Sequence, residues 1–198
     1  MLNLRANNIG GLFPPQELAY LGNLERLDLS FIQFNDIQGC ENLSRLENLE
    51  TLYLRGNRSN KSVILCLSSL ISLKNLSLQG NNLGDPFPAR ELMVLKNLET
   101  LDLSSNELSS LTMQDSKLLS NLSKMRHLDL SGNHFDKDAF RILGALPSLK
   151  FLSLVFNQME GSLSNQELTY NLSNLEVLLL RGNLLIGTLP MEGKNFVI

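Results

Sequence analysis

Apolar and polar positions along this chain follow one recurring phrase. In Leu98-Glu-Thr-Leu101-Asp-Leu103-Ser-Ser-Asn106-Glu-Leu108, apolar residues stand at fixed offsets and an asparagine follows them. The phrase recurs with anchors at Leu2, Leu27, Leu52, Leu76, Leu101, Leu128, Leu152 and Leu178. Successive anchors lie 25, 25, 24, 25, 27, 24 and 26 residues apart. A period of that size, held over nearly the whole chain, predicts a stack of like units. The expected architecture is a solenoid of about eight repeats.

Within each unit the alternation of Leu101 and Leu103 with polar neighbours predicts a short strand. Its leucines point inward and the intervening side chains face solvent. Parallel strands from successive units then line a concave face. The asparagine closes the strand and is expected to satisfy buried backbone groups of its own layer and the next. Its series is Asn7, Asn57, Asn81, Asn106, Asn133, Asn157 and Asn183, broken in repeat two by Ile32, where a local distortion is expected. The return path repeats as Leu18, Leu21, Leu24, then Leu43, Leu46, Leu49, then Leu67, Leu70, Leu73. Spacing by three suits tight 3₁₀-like turns better than a long amphipathic helix. Longer convex helices are expected from Asp115 and over Lys137 to Gly144, with Gly144 as C-cap.

Composition sharpens this picture. Leucine supplies 47 of 198 residues and tryptophan is absent, as suits a core of identical layers. A net charge of −3 gives no general attraction to nucleic acid or anionic lipid. No apolar run reaches the roughly 20 residues needed to span a bilayer. Met1 to Leu4 already reads as the first strand rather than a leader. We expect one repeat domain over 1–190 and the tail of a truncated repeat over 191–198. Solenoids ordinarily carry polar end caps, and none is legible, so the expectation is a piece of a longer parent.

A second signature follows the asparagine. Ile9-Gly-Gly11-Leu-Phe13-Pro14 and Leu185-Ile-Gly187-Thr-Leu189-Pro190 match Leu-x-Gly-x-Ile-Pro with conservative apolar changes. The stretch from Leu83 to Pro88 keeps the proline but places Asp85 at the glycine, and Met159 to Ser164 keeps Gly161 without the proline. Glycine permits a turn closed to other residues, and proline ends the segment. This element, the thrice-used Leu-Asp-Leu-Ser (27–30, 101–104, 128–131) and the period together resemble plant extracellular leucine-rich repeats. Phe13-Pro-Pro-Gln-Glu-Leu18 and Phe87-Pro-Ala-Arg-Glu-Leu92 resemble more narrowly the receptor-like proteins of that group. The resemblance implies an α/β leucine-rich repeat solenoid, horseshoe or superhelical, from a secreted ectodomain on the outer face of the plasma membrane. It further implies a parent with one membrane helix, a peptide or protein ligand, a co-receptor kinase, and a part in cell-surface signalling or defence.

Catalytic chemistry finds little support. His127 and His134 sit in no nucleophile, zinc or phosphate-loop pattern, so no catalytic, metal or cofactor residue is assigned. Cys40 and Cys66 stand 12 and 10 residues before their next anchors, Leu52 and Leu76. Either a disulfide or two buried thiols fits that spacing. Sequons occur at Asn42, Asn57, Asn60, Asn75, Asn121 and Asn171. Asn57 belongs to the buried series, which leaves the other five as glycosylation candidates.

Binding candidates lie in the columns that the repeats align. One reads Arg26, Thr51, Asn75, Thr100, His127, Phe151, Val177; the next Asp28, Tyr53, Ser77, Asp102, Asp129, Ser153, Leu179. A third reads Ser30, Arg55, Gln79, Ser104, Ser131, Val155, Arg181, flanked by Phe31 and Phe156. Asp102, His127 and Asp129 predict an acidic stretch. Phe151, Val155, Phe156, Val177 and Leu179 predict an apolar cluster where solvent is expected, a usual sign of a partner surface. With Arg26, Tyr53 and Arg55 these form the expected ligand face. Two other readings remain: a secreted inhibitor of a foreign hydrolase, of the polygalacturonase-inhibitor kind, or a gene fragment without function.

Overall fold

A computed structural model of the chain describes residues 1–13, 15–18, 20–37, 40–164 and 172–187. Pro14, Asn171, Leu189, Pro190 and the expected tail 191–198 lie outside the described residues. One parallel sheet of eight strands runs through the molecule in chain order. The strands are Leu2–Asn3, Arg26–Asp28, Thr51–Tyr53, Asn75–Ser77, Thr100–Asp102, His127–Asp129, Phe151–Ser153 and Val177–Leu179. Every pairing puts anchor opposite anchor, from Leu2 opposite Leu27 to Leu152 opposite Leu178. The unequal intervals are therefore absorbed in the returns, and the sheet keeps its register.

The asparagines act as the pattern requires. Asn133 Nδ2 donates to the Leu130 carbonyl at 2.9 Å and across the layer to the Leu103 carbonyl at 3.0 Å. Its Oδ1 accepts from the Asn106 and Leu108 amides. Asn57, Asn81, Asn106, Asn157 and Asn183 likewise reach back one repeat. At Ile32 the cross-layer link is lost, and the residue packs in the core instead, 1% exposed. Its neighbours Phe31 and Gln33 take positive φ, as Ser105 and Glu107 do around Asn106, so the turn matches that of repeat five and the break lies in the side-chain ladder rather than in a distorted backbone.

The residue before the asparagine position is left-handed in all eight repeats. Ala6, Phe31, Gly56, Gly80, Ser105, Gly132, Phe156 and Gly182 have φ between 53° and 74°. Glycine adopts this state without penalty, whereas another residue pays about 1 kcal/mol. Where a phenylalanine stands there, its ring lies on the glycine of the following repeat. A Cβ on Gly56 would meet Phe31 at 2.1 Å, and one on Gly182 would meet Phe156 at 2.2 Å. Gly56→Ala should cost about 2 kcal/mol from backbone strain plus displacement of the ring. Roughly half of that cost should vanish on a Phe31→Ala background. A double-mutant cycle by urea denaturation checks this, and a coupling near zero would refute the ring-on-glycine contact.

The leucines spaced by three form successive i→i+3 turns. Leu46 and Leu49 donate to the Leu43 and Leu46 carbonyls, and Leu70 and Leu73 repeat the arrangement. All six are buried at 3% exposure or less, each contributing about 2 kcal/mol of apolar burial. Cys40–Arg45 is a 3₁₀ helix, while Ser62–Leu67, Ala89–Leu92, Met113–Leu119 and Asp138–Leu143 are short α-helices. The helix expected from Asp115 starts earlier, at Met113. Thr112 caps it through a reciprocal box with Asp115, a Thr-x-x-Asp variant of the usual signal. Gly144 is the C-cap of the other helix, but with right-handed φ −60.

Beyond the expected sheet are two minor parallel ladders, Gly11–Phe13 with Phe34–Ile37 and Glu160–Gly161 with Leu184–Leu185. They are built from the glycine signature, whose Gly11, Gly161 and Gly187 all take positive φ. Asp85, at the same position, instead ties its repeat to the next. Its carboxylate accepts from the Ser109 amide at 2.7 Å, the Ser109 hydroxyl and the Ser110 amide at 3.2 Å. Partial burial pushes this carboxyl up, and the serine donors outweigh it, leaving the pKa below the ordinary 3.8. A depressed native pKa means the contribution is present above the unfolded value and lost as pH falls through the folded one. Stability should therefore sag below about pH 4. Denaturation midpoints of wild type and Asp85→Asn should differ at pH 7, and the difference should shrink steadily as pH falls below about 4.

Candidate functional site

The sheet register assembles the columns strand by strand. Arg26, Thr51, Asn75, Thr100, His127, Phe151 and Val177 pair in sequence, and Asp28, Tyr53, Ser77, Asp102, Asp129, Ser153 and Leu179 form the parallel row. Neighbouring strands lie about 4.8 Å apart, so the columns present a continuous surface. Arg26 and His127 are exposed, Tyr53, Arg55, Asp102, Asp129, Phe151, Val155, Val177 and Leu179 half-buried, and Phe156 is 59% exposed. The ligand candidates thus share one face.

The Leu-Asp-Leu-Ser motif has a structural cause. Asp28, Asp102 and Asp129 each turn Oδ1 onto the backbone amide two residues on, at Ser30, Ser104 and Ser131, within 2.9–3.1 Å. The Ser104 and Ser131 hydroxyls add a second bond to the same oxygen. What remains for a ligand is Oδ2, and here the two central aspartates part company. Asp102 Oδ2 accepts from Ser77 Oγ at 2.8 Å and lies 3.5 Å from the Arg55 guanidinium. Arg55 Nε donates to the same Ser77 Oγ at 2.8 Å, and its guanidinium sits 5.3 Å from the Tyr53 ring centre. Tyr53, Arg55, Ser77 and Asp102 are therefore a closed polar cluster across repeats three to five.

That geometry corrects the expected acidic stretch. Asp102 is neutralised from the side of repeat three, and His127 turns the other way, its ring stacked on Phe151 at 5.6 Å with 26° between planes. Asp129 keeps its second oxygen without a partner among the described residues. Beyond it, Ser131 Oγ and Ser153 Oγ meet at 2.6 Å, and then the surface turns apolar. Phe151 faces Val177, and Leu179 stands opposite Ser153. Phe156 leaves the cluster to lie over Gly182, with the Arg181 guanidinium 5.8 Å from its ring. Arg5 sits over Phe31 likewise, at 4.9 Å.

Along the leading edge of the sheet, two ion pairs join adjacent repeats. Glu50 and Lys74 pair at 2.5 Å and Lys150 and Glu176 at 2.6 Å. The bond to Glu50 raises the Lys74 pKa above the usual lysine range, burial opposes it, and the charges of Glu50 and Glu99 add to it. A second asparagine series escaped the sequence reading. Asn48, Asn97 and Asn174 each donate to a carbonyl one repeat back, at Gly22, Ile71 and Pro147. Its signal was the Asn-Leu pair recurring at 23–24, 48–49, 97–98 and 174–175.

Cys40 and Cys66 form a disulfide, Cα–Cα 4.9 Å, between the returns of repeats two and three. Of the sequons, Asn60 and Asn121 are exposed and Asn42 is half-buried on the returns, whereas Asn57 is 5% exposed in the asparagine ladder. Asn75 is half-buried in the first column with Nδ2 3.2 Å from Thr51 Oγ1, so a glycan there would stand on the concave face. Among the described residues no group of three or more His, Cys, Asp or Glu could hold a metal ion. No described helix is long and apolar enough to cross a membrane.

The leucine rich repeat family model matches residues 97–122. Receptor-like protein 13 of Arabidopsis thaliana is 41% identical over 136 residues, covering 68% of this chain and 13% of its own length. The chain thus spans about an eighth of that relative. Among solved structures, the mouse RP105/MD-1 complex superposes with a TM-score of 0.74 at 28% identity, over 94% of this chain and 30% of that one. Internalin C2 of Listeria monocytogenes gives 0.70 at 24% identity, over 91% and 81%, a likeness of fold.

Proposed function

For a chain that belongs to the leucine-rich repeat proteins and whose repeats are those of the plant receptor-like proteins, we propose non-catalytic recognition of a peptide or protein on the concave face. The observation that carries this is the in-register surface of repeats five to eight, where Phe151, Val155, Val177 and Leu179 stay partly exposed on a sheet face. Rigid aligned strands hold such side chains at little entropic cost on binding, and many modest contacts then add up. Extracellular placement is supported by the Cys40–Cys66 disulfide, since disulfides persist in oxidising compartments. Glycans at Asn42, Asn60 and Asn121 would decorate the returns and leave the columns clear; Asn75 and Asn171 complete the set of candidates. Signalling or defence through a co-receptor kinase is the role that the similarity to receptor-like proteins supports.

The test places a photo-cross-linking residue at His127 on the sheet and, separately, at Gln114 on the convex helix. Each protein is exposed to plant extracellular fluid, and any captured peptide is resynthesised and titrated by calorimetry. A peptide captured at His127 that rebinds in pure form and is lost on Phe151→Ser carries the reading. Capture at Gln114 alone sinks it. Binding to a purified fungal polygalacturonase, with loss of that enzyme's activity, would instead favour the inhibitor reading.

A further inference from the structure

Resting on the concave-face reading, we propose that the occupant of repeats six to eight is an extended segment pairing a basic side chain with an apolar one. The basic group meets Asp129, and the apolar side chain, two or three residues away, seats among Phe151, Val177 and Leu179.

Charge complementarity decides the first half. Three aspartates project from the second column, and all spend Oδ1 on their own turn. Asp102 also spends Oδ2, on Ser77 and Arg55. Asp129 does not. Its Oδ1 is already held by the Ser131 amide and hydroxyl, so the carboxylate is oriented before a ligand arrives and loses little freedom on binding. The ionisable neighbours are His127 on the same strand, Asp102 on the preceding one, and Arg126 at the edge. His127 is occupied with Phe151 and Asp102 with Arg55. Arg126 lies three positions back along the chain, beyond the anchor Leu128. The unsatisfied charge facing solvent is therefore negative, and a lysine or arginine is its complement.

The second half follows from register. Asp129, Ser153 and Leu179 are consecutive in one column. Two strand spacings separate the aspartate from the leucine, roughly 10 Å. Residues on one side recur about every 7 Å in a β-strand and about every 9 Å, three residues on, in a polyproline II segment, so a side-chain pair two or three residues apart spans that gap. Phe151 and Val177, adjacent in the first column, wall the apolar seat, and the ring of His127 extends it. An acidic segment would meet Asp129 with like charge, and a wholly apolar one would bury that carboxylate unpaired.

The experiment selects a displayed library of random 12-residue peptides on the full chain and synthesises the leading sequences. Hydrogen exchange then maps where they protect the protein. Enriched peptides should carry Lys or Arg two or three residues from Leu, Ile, Phe or Trp and protect 127–129, 151–153 and 177–179. Asp129→Asn retains the oxygen that accepts from Ser131, and Leu179→Ser leaves the anchor leucines intact. Each should weaken the leading peptide about tenfold with the melting temperature nearly unchanged. Peptides that protect these strands but lack a basic residue, or ignore Asp129→Asn, overturn this proposal and leave concave recognition standing. Protection confined to 113–119 and 138–143, or no enrichment, overturns both.

Discussion

Replacing Asn106 with alanine is expected to remove about 3–5 kcal/mol of stability, at the upper end for one substitution. Its side chain is fully buried and donates to the carbonyls of Leu78 at 2.9 Å and of Leu103 and Ser104 at 3.1 Å, while Oδ1 accepts from the Leu83 amide at 3.4 Å. The strand-end carbonyls each serve two ladder asparagines, so they keep one partner: Asn81 remains for Leu78 and Asn133 for Leu103. The Leu83 amide keeps none, and Leu83 is 3% exposed. One stranded buried donor costs about 1–3 kcal/mol, and each lost hydrogen bond about 1 more. Repeat two shows when the loss is tolerable. At Ile32, the amide that an asparagine there would serve belongs to Ile9, which is 49% exposed and can turn to water. Asn106→Ile, though it fills the space, should therefore still cost at least 2 kcal/mol. Urea denaturation of both variants decides the matter, and a loss below 1 kcal/mol for alanine would show that water replaces the ladder.

Removing the disulfide should be nearly as damaging. Cys40 and Cys66 are 26 residues apart, and closing a loop of that length contributes about 3–4 kcal/mol by restricting the unfolded chain. It bridges the first residue of the 3₁₀ helix Cys40–Arg45 to the last turn of the helix Ser62–Leu67. The Cys40→Ser, Cys66→Ser double variant should lose about 3 kcal/mol, with its effect concentrated in repeats two and three. Hydrogen exchange should show faster opening of 40–67 than of 127–154. Equal protection in wild type and variant would mean that stacking alone holds the returns.

That same pair shows where sequence reading stopped. Offsets of 12 and 10 residues from the next strand look mismatched, and the two cysteines do hold different places in their returns: the bridge joins the start of a 3₁₀ helix to the last turn of an α-helix, with 4.9 Å between Cα atoms. Helix type in so short a segment is set by packing against neighbouring returns, which no local pattern encodes. Strand placement was legible throughout, because a leucine at each anchor and, in every repeat but the second, an asparagine five residues on leave one register. The columns were legible for the same reason. Their chemistry was not. Asp102 and Asp129 occupy identical motif positions, and what separates them is Arg55, two repeats away, reaching across Ser77. The minor ladders were hidden too, since their strands of two to four residues follow from the turn at Gly11, Gly161 and Gly187 rather than from any alternation.

The rings resting on glycines bear on how such an array can be inherited. A repeat ending in Phe31 or Phe156 is compatible only with a successor carrying glycine at the same turn, as Gly56 and Gly182 do. Ser105 makes a milder demand on Gly132, where a Cβ would lie 2.9 Å from its hydroxyl. Unequal recombination that set repeat two directly before repeat five would press Phe31 against the β-carbon of Ser105. Units of this array are thus exchanged most safely as adjacent couples, and the boundary of a viable duplication falls after the glycine, not after the phenylalanine.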